Sequence, residues 1–259
     1  MNTALAAGSI DISELGSSPT AQGIANGVDY QVFWIGDIIG AAESLAVKND
    51  SGISKVEDLK GKKVAAPFAS TAHYSLLNAL KQAGVSETDV ELYDLQPADI
   101  YAAWTRGDID AAYVWYPVLG QLLEDGTTIT DSEKLAEDGI ITADLNVVRT
   151  EFAKKNPDIV VNYVKAQIKA NEVLLNDPET AAKEVAAILE IPEADAADQI
   201  TQFKYLTAEE QISYLNEKIA QTLKNTADFL VEQDSIKEAP SLEDYSSKVT
   251  DEFIKEAVK

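Results

Sequence analysis

The chain has no cysteine, and only one histidine and one methionine, among 259 residues. Without cysteine there is no disulfide, no thiolate nucleophile and no zinc–thiolate site. One histidine leaves any transition-metal centre nearly all carboxylate, a poor donor set for such ions. Neither a metal nor a cofactor is therefore expected. Cationic side chains are scarce as well: 21 Lys and Arg stand against 44 Asp and Glu, a formal net charge of -23. Such a surface repels a phosphate backbone, so nucleic acid is not an expected partner. No apolar run approaches the roughly 18 residues that span a bilayer. The start, "MNTALAAGSIDISELG", lacks the basic-then-apolar pattern of a signal peptide. There is no internal repeat and no low-complexity tract.

What is present is an ordinary globular composition, 46% apolar, at a length that suits one large domain or two lobes. Up to about residue 150, strand and helix patterns alternate. Ala4, Leu5 and Ala7 read as the middle of a helix running into Gly8. Strands are expected at Ile10–Leu15, Tyr30–Ile35, Ser44–Val47, Val64–Ala66, Val90–Tyr93 and Ile109–Trp115. Helices are expected from Ser18–Pro19, with Ser18 as cap and Pro19 in the first helical position. Others are expected over Ala72–Ala83, capped by Ser70 or Thr71, and over Pro97–Arg106, stopping at Gly107. Alternation of this kind argues for α/β units around a mostly parallel sheet. Beyond Asn156 the pattern is nearly all helical, with starts at Pro157, Pro178, Pro192 and Thr207. Thr207 and Glu210 have the spacing of a capping box.

The single histidine sits in "PFASTAHYSLLNAL". Ser70 and His73 lie three apart near a helix start, and a serine nucleophile needs a base in contact plus a third group to orient it. Neighbours on one helical turn seldom aim at each other end to end, and no Gly-x-Ser-x-Gly elbow is present. No catalytic residue is expected. Ser70 and Thr71 read as caps, and a helix start also attracts anions through its unpartnered N–H groups. Gly16-Ser17-Ser18-Pro19 has the same character. Two hydroxyl-rich helix starts could face one sulfonate, phosphate or carboxylate. Trp115 and Tyr116, at a strand end, read either as core or as pocket walls, since open α/β sheets bind ligands at strand C-termini. Arg106-Gly107-Asp108 reads as a helix end and turn. Asp144, on composition alone, reads as a surface or turn residue.

"GKKVAAPFASTAHYSLLNALKQAGV", "LQPADIYAAWTRGDIDAAYVWYP", "TDSEKLAEDG" and "GSSP" together closely resemble the taurine-binding proteins of ABC importers, within the wider group that binds sulfonates, nitrate and related small solutes. The resemblance implies an α/β, two-lobed periplasmic-binding-protein fold of type II, with a mixed, mostly parallel sheet flanked by helices in each lobe. One lobe would comprise residues 1–48 and 145–259 and the other 49–144, with ligand closing the cleft between them. It implies capture of taurine or a related alkanesulfonate, delivery to a membrane permease, no catalysis, and a monomer in the periplasm or held outside the cytoplasm as a lipoprotein. The family begins with a signal segment and a strand–helix–strand unit, which the resemblance marks as missing here.

Carried over residue by residue, the family's sulfonate contacts fall on Ser17 and Ser18 and on Ser70, Thr71 and Ala72. His73 and Tyr74 match the motif, Trp115 the aromatic at the strand end, Asp144 the aspartate that faces the ammonium, and Glu43 a glutamate before the strand "SLAV". Tyr116 departs from the smaller residue of the family and narrows the expected pocket. The competing readings are a binder of another small solute (a different sulfonate, nitrate or a thiamine precursor), an enzyme of the same fold, and a ligand-sensing regulatory domain. An enzyme needs a nucleophile, base or metal group beyond those seen. A regulator would normally carry a DNA-binding helix-turn-helix, and none is present.

Overall fold

Met1 caps a short helix, α1 (Asn2–Ala6), which buries Leu5. In this computed structural model, which describes all 259 residues, the Asn2 side-chain amide donates to the Pro19 carbonyl at 2.7 Å. The Tyr30 hydroxyl lies between the Asn2 side chain and the Thr20 carbonyl, at 3.3 and 2.9 Å. This contact ties α1 to the crossover that follows: β1 (Ile12–Gly16), α2 (Ser17–Ala25) and β2 (Tyr30–Ile39).

The chain divides into two units, Met1–Ile38 with Ala143–Lys259, and Ile39–Thr142. The second unit runs β3 (Glu43–Lys48), β4 (Lys63–Ala66), α3 (Thr71–Gln82), β5 (Glu91–Asp94), α4 (Pro97–Arg106), β6 (Ala111–Trp115), α5 (Val118–Leu122), β7 (Gly126–Asp131) and α6 (Ser132–Glu137). Its sheet has the order β5-β4-β6-β3-β7. β4 runs parallel to β5 and β6, whereas β3 runs antiparallel to β6 and β7. Ala46, Ala112 and Val114 pack under Ile100 and Trp104 of α4. α4 ends at Gly107 (φ 78°), a left-handed position that costs glycine little.

The chain then returns as β8 (Ala143–Arg149), which enters the first sheet between β1 and β2 and runs antiparallel to both. The rest of the first unit is α7 (Thr150–Lys155), α8 (Pro157–Asn176), α9 (Pro178–Leu189), α10 (Glu193–Ile200), β9 (Phe203–Lys204), α11 (Ala208–Glu217), α12 (Ile219–Glu232), α13 (Leu242–Ser246) and α14 (Glu252–Ala257). Thr207 and Glu210 form the expected capping box. The outer edge of β2 is closed by side chain and loop. Gln211 bonds both the N–H and the C=O of Ile35, at 3.0 and 2.6 Å, and Lys248 and Thr250 bond Val32. No helix is long and apolar enough to cross a membrane.

Three expectations are corrected here. The units divide at 38/39 and 142/143, not at 48/49 and 144/145. β3 is bonded between β6 and β7 of the second unit, and Asp144 sits in the β8 ladder of the first. The first sheet is not mostly parallel: β1 and β2 do run parallel as a crossover pair, but the returning strand lies between them and makes every ladder among these three strands antiparallel. In the second sheet parallel and antiparallel ladders are equally represented, because β3 reverses there in the same way. Finally, Ser18 is not a cap. α2 begins two residues earlier, with Gly16 at the N-cap, which moves Pro19 to the third helical position. Proline fits there because N–H groups of the first turn have no intrahelical acceptor to lose.

Gly23, on α2, tests the α1 contact. A Cβ at this position would overlap the Tyr30 hydroxyl and the Asn2 amide. Gly23→Ala is expected to destabilise the protein by about 1–3 kcal/mol, the usual cost of overpacking, despite the helix-favouring nature of alanine. Urea denaturation monitored by circular dichroism measures this, and an unchanged or raised midpoint would show that the α1 contact yields freely.

Candidate functional site

Each unit brings a hydroxyl-rich helix start next to an acid, at the edge where the parallel strands end. In the second unit β4 leads through residues 67–70 into α3. The Ser70 hydroxyl donates to the Pro67 carbonyl at 2.5 Å and accepts the His73 backbone N–H at 3.2 Å. The Tyr74 N–H goes to the Ser70 carbonyl. The backbone N–H groups of Thr71 and Ala72, the first two of α3, have no acceptor within the chain.

Beneath this turn lies Glu43, the first residue of β3, with only 2% of its surface exposed. The Thr71 hydroxyl donates to Glu43 Oε2 at 2.6 Å and the Ser132 hydroxyl donates to Oε1 at 3.1 Å. Ser75, one turn along α3 from Thr71, lies 3.5 Å from Oε1 and 3.1 Å from Ser132 Oγ. A hydroxyl carries one proton. With its proton on Glu43, Ser132 must accept from Tyr113, whose hydroxyl lies 3.2 Å away. Burial, and then the Glu43 charge, push the Tyr113 hydroxyl far above its ordinary range, so it stays a donor.

The proton count corrects one expectation. Ser70 and Thr71 do not offer free hydroxyl protons to an anion, because both are already given away. Any anion at this helix start is left the backbone N–H groups of Thr71 and Ala72. Trp115 pairs directly opposite Glu43 in the β3–β6 ladder and is half-buried, whereas Trp34 and Trp104 are enclosed in the cores. His73 is not brought to this group. Its ring stacks on Phe68 at a centroid distance of 4.2 Å, on another side of α3 from Thr71 and Ser75. Nε2 is buried without a partner. Burial lowers its pKa to about 4, against a smaller opposing effect of the Asp94 charge.

In the first unit, Gly16 ends β1 and caps α2, and its register partner is Asp144 on β8. Ser17 and Ser18 follow, both buried. The Ser17 oxygen accepts a long bond from the Ala143 N–H at 3.4 Å, and the Ser18 hydroxyl has no partner. A buried hydroxyl without a partner is costly unless something fills the place. Asp144 also pairs with Asp37 on β2. The Glu14 carboxylate accepts from the Asn146 side chain at 2.8 Å and closes over Gly36, where a Cβ would come within 2.7 Å of Glu14 Oε2. Burial, and then the Glu14 charge, push the Asp144 carboxyl up to about 7. No hydrogen bond to Asp144 offsets this.

The model of the NMT1/THI5-like family matches residues 2–181. The chain belongs to that family. The taurine-binding periplasmic protein of Escherichia coli (strain K12) is 42% identical over 258 residues, which cover 97% of this chain and 79% of that relative. The crystal structure of the periplasmic aliphatic sulphonate binding protein SsuA from Escherichia coli matches with a TM-score of 0.77 and 26% identity, over 96% of this chain and 78% of that one. The desulfurization enzyme DSZB matches with a TM-score of 0.70 over 95% of this chain and 84% of that one. At 17% identity this shows the fold alone.

In this NMT1/THI5-like chain the partners of the two acids escaped the sequence reading. Ser75 was within reach, four residues from Thr71 on one helical face. Glu14 and Asp37 interrupt otherwise apolar strands, a weaker signal. Ser132 and Tyr113 carry none, since only the folded sheet brings them to Glu43.

Asp144 makes a testable contribution to stability. Its carboxyl ionises near 3.8 in the unfolded chain and near 7 in the ligand-free fold. Between those values the folded state binds the extra proton, so stability falls as pH rises through that window. Asp144→Asn is therefore expected to gain on the wild type as pH rises from 5 to 8, read by denaturant titration at each pH. A difference between the two proteins that does not grow with pH would remove Asp144 as the titrating group.

Proposed function

We propose that the protein is the solute-binding component of an ABC importer, which captures taurine or a related alkanesulfonate and hands it unchanged to a membrane permease. It acts as a monomer outside the cytoplasm, in the periplasm or anchored as a lipoprotein. The observation that carries this reading is the pairing of Asp144 with Gly16. An acid without hydrogen-bond donors stands opposite the N-cap of a helix whose Ser18 hydroxyl is buried and unpartnered. Directly opposite residues of an antiparallel pair lie about 5 Å apart, a span suited to the two charges of a two-carbon aminosulfonate. The 42% identity to a taurine-binding protein supports the same ligand.

In this reading Asp144 takes the ammonium, and Ser17 and Ser18 serve the sulfonate. In the second unit the backbone N–H groups of Thr71 and Ala72, held in place by Ser70, form a sulfonate-binding group of the same kind. Trp115 is its ligand-facing aromatic, and Glu43 stands behind Thr71. His73 packs the start of α3 through Phe68. Binding without reaction is favoured over an enzyme of this fold by the absence of cysteine and by the Ser70 proton, which is given to a backbone carbonyl that cannot act as a base. An enclosed, unpartnered imidazole nitrogen cannot serve as that base.

Calorimetry with taurine is expected to give one site per chain, and mass spectrometry to recover the ligand unchanged. Because the ammonium requires an ionised Asp144, and that group titrates near 7, taurine affinity is expected to rise about tenfold between pH 6 and 8. Ethanesulfonate, which lacks the amine, should show no such rise. Recovery of an altered product would sink the reading.

Substitutions separate the two ends of the ligand. Asp144→Ala is expected to cost taurine about 2 kcal/mol or more, the scale of a lost charge-assisted bond, and ethanesulfonate far less. With Trp34 and Trp104 replaced, tryptophan fluorescence is expected to respond to taurine through Trp115. Equal losses for the two ligands, or a silent Trp115, would refute the assigned roles.

A further inference from the structure

Glu43 is enclosed, touches the first residue of α3, and has its donors supplied by hydroxyls: Thr71 at 2.6 Å and Ser132 at 3.1 Å, with Ser75 and Tyr113 completing the chain. This arrangement holds a carboxylate directly behind a helix start that otherwise attracts anions. We propose that Glu43 is a specificity-determining residue that admits a singly charged sulfonate at the start of α3 and holds doubly charged oxyanions off. The inference rests on the sulfonate reading given above.

The argument is one of magnitude. A helix start carries about half a positive charge, whereas a carboxylate carries a full negative one. The N–H groups of Thr71 and Ala72 bond the nearest oxygens of a sulfonate, a sulfate or a phosphonate alike. Each further unit of ligand charge meets the helix with about half a charge of attraction and Glu43 with a whole charge of repulsion. Burial keeps solvent ions from screening Glu43. The Thr71 hydroxyl adds no relief, because its proton faces Glu43 and its lone pairs are what remain for a ligand.

The other charged and titratable groups packed around this turn leave the sign unchanged. Asp94, which accepts the Phe68 N–H at 2.9 Å, is a second carboxylate of the same sign as Glu43 and is common to the wild type and Glu43→Gln. Asp131 is paired with Lys134 at 3.0 Å. His73, with its pKa near 4, and Tyr113, shifted upward, are neutral between pH 6 and 8.

The test compares taurine with 2-aminoethylphosphonate, which has nearly the same shape. The phosphonate loses its second proton near the value of a phosphate ester, about 6. Calorimetry is run at pH 6 and pH 8 on the wild type and on Glu43→Gln, with inorganic sulfate as a third ligand. In the wild type, the affinity of the phosphonate relative to taurine is expected to fall about tenfold or more from pH 6 to 8, and taking the ratio cancels the Asp144 titration. In Glu43→Gln that fall is expected to shrink to less than about threefold, and sulfate to gain about tenfold relative to taurine. A residue with a merely structural role would weaken all three ligands together.

A wild-type ratio that does not change with pH overturns the proposal, as does a variant whose ratios match the wild type. The wild-type arm stands even if Glu43→Gln fails to fold. A wild type that binds taurine with a flat ratio sinks this inference alone, whereas one that binds no sulfonate sinks the sulfonate reading with it.

Discussion

Each sheet accepts one strand that runs against its neighbours, and this reversal places the chemistry. The chain leaves the first unit after β2 and returns as β8, and the strands that follow the two passages, β3 and β8, both run antiparallel to the strands beside them. A reversed strand begins where its neighbours end. Its first residues therefore stand beside the loops that lead from strand ends into helices. Glu43 opens β3 near the start of α3, and Asp144, second in β8, stands opposite the N-cap of α2. An acid next to a helix start is thus a product of topology, repeated in both units.

The two acids then diverge in what surrounds them. Glu43 receives hydroxyl protons from Thr71 and Ser132, and these bonds fix the first turn of α3. Asp144 receives none, and Glu14 and burial oppose its ionisation. Such a group is neutral about half the time near pH 7 and gains most from a cation that arrives as a ligand. One acid is completed within its own unit, and the other is left with unspent capacity. This asymmetry is why Asp144 is assigned to the ligand and Glu43 to selecting it.

Much of the fold was legible because its signals are local. α4 runs from Pro97 to Arg106 and stops at Gly107 as its proline, periodicity and glycine indicate, and the Thr207 box and the Ser70 cap are where spacing puts them. Strand direction was not legible, since "ADLNVVR" reads the same whether it adds to an edge or inserts between β1 and β2. The lobe boundary failed for the same reason: "ESLAVK" looks like a continuation of the first sheet, and only its partners β6 and β7 assign it to the second. The candidate residues were found by the company they keep in the sequence. Their protonation roles were not, because Ser132 lies 89 positions from Glu43 and no local pattern connects them.

The net charge of -23 and a proposed anionic ligand group come into balance at short range. Charges separated by more than about 8–10 Å across solvent are largely screened, so the acidic surface contributes little at the site itself. What remains at the start of α2 is about half a positive charge, with Asp144 opposite its N-cap. Such a pair does not favour a bare anion, since the acid outweighs the helix end. It favours a ligand that brings its own positive charge to that acid. A zwitterion supplies this: its ammonium neutralises Asp144, and its sulfonate then meets N–H groups and the Ser18 hydroxyl with one fewer opposing charge. On this argument the preference for an aminosulfonate follows from having an acid at the start of α2, because that same acid makes the place poorer for an anion that lacks the amine.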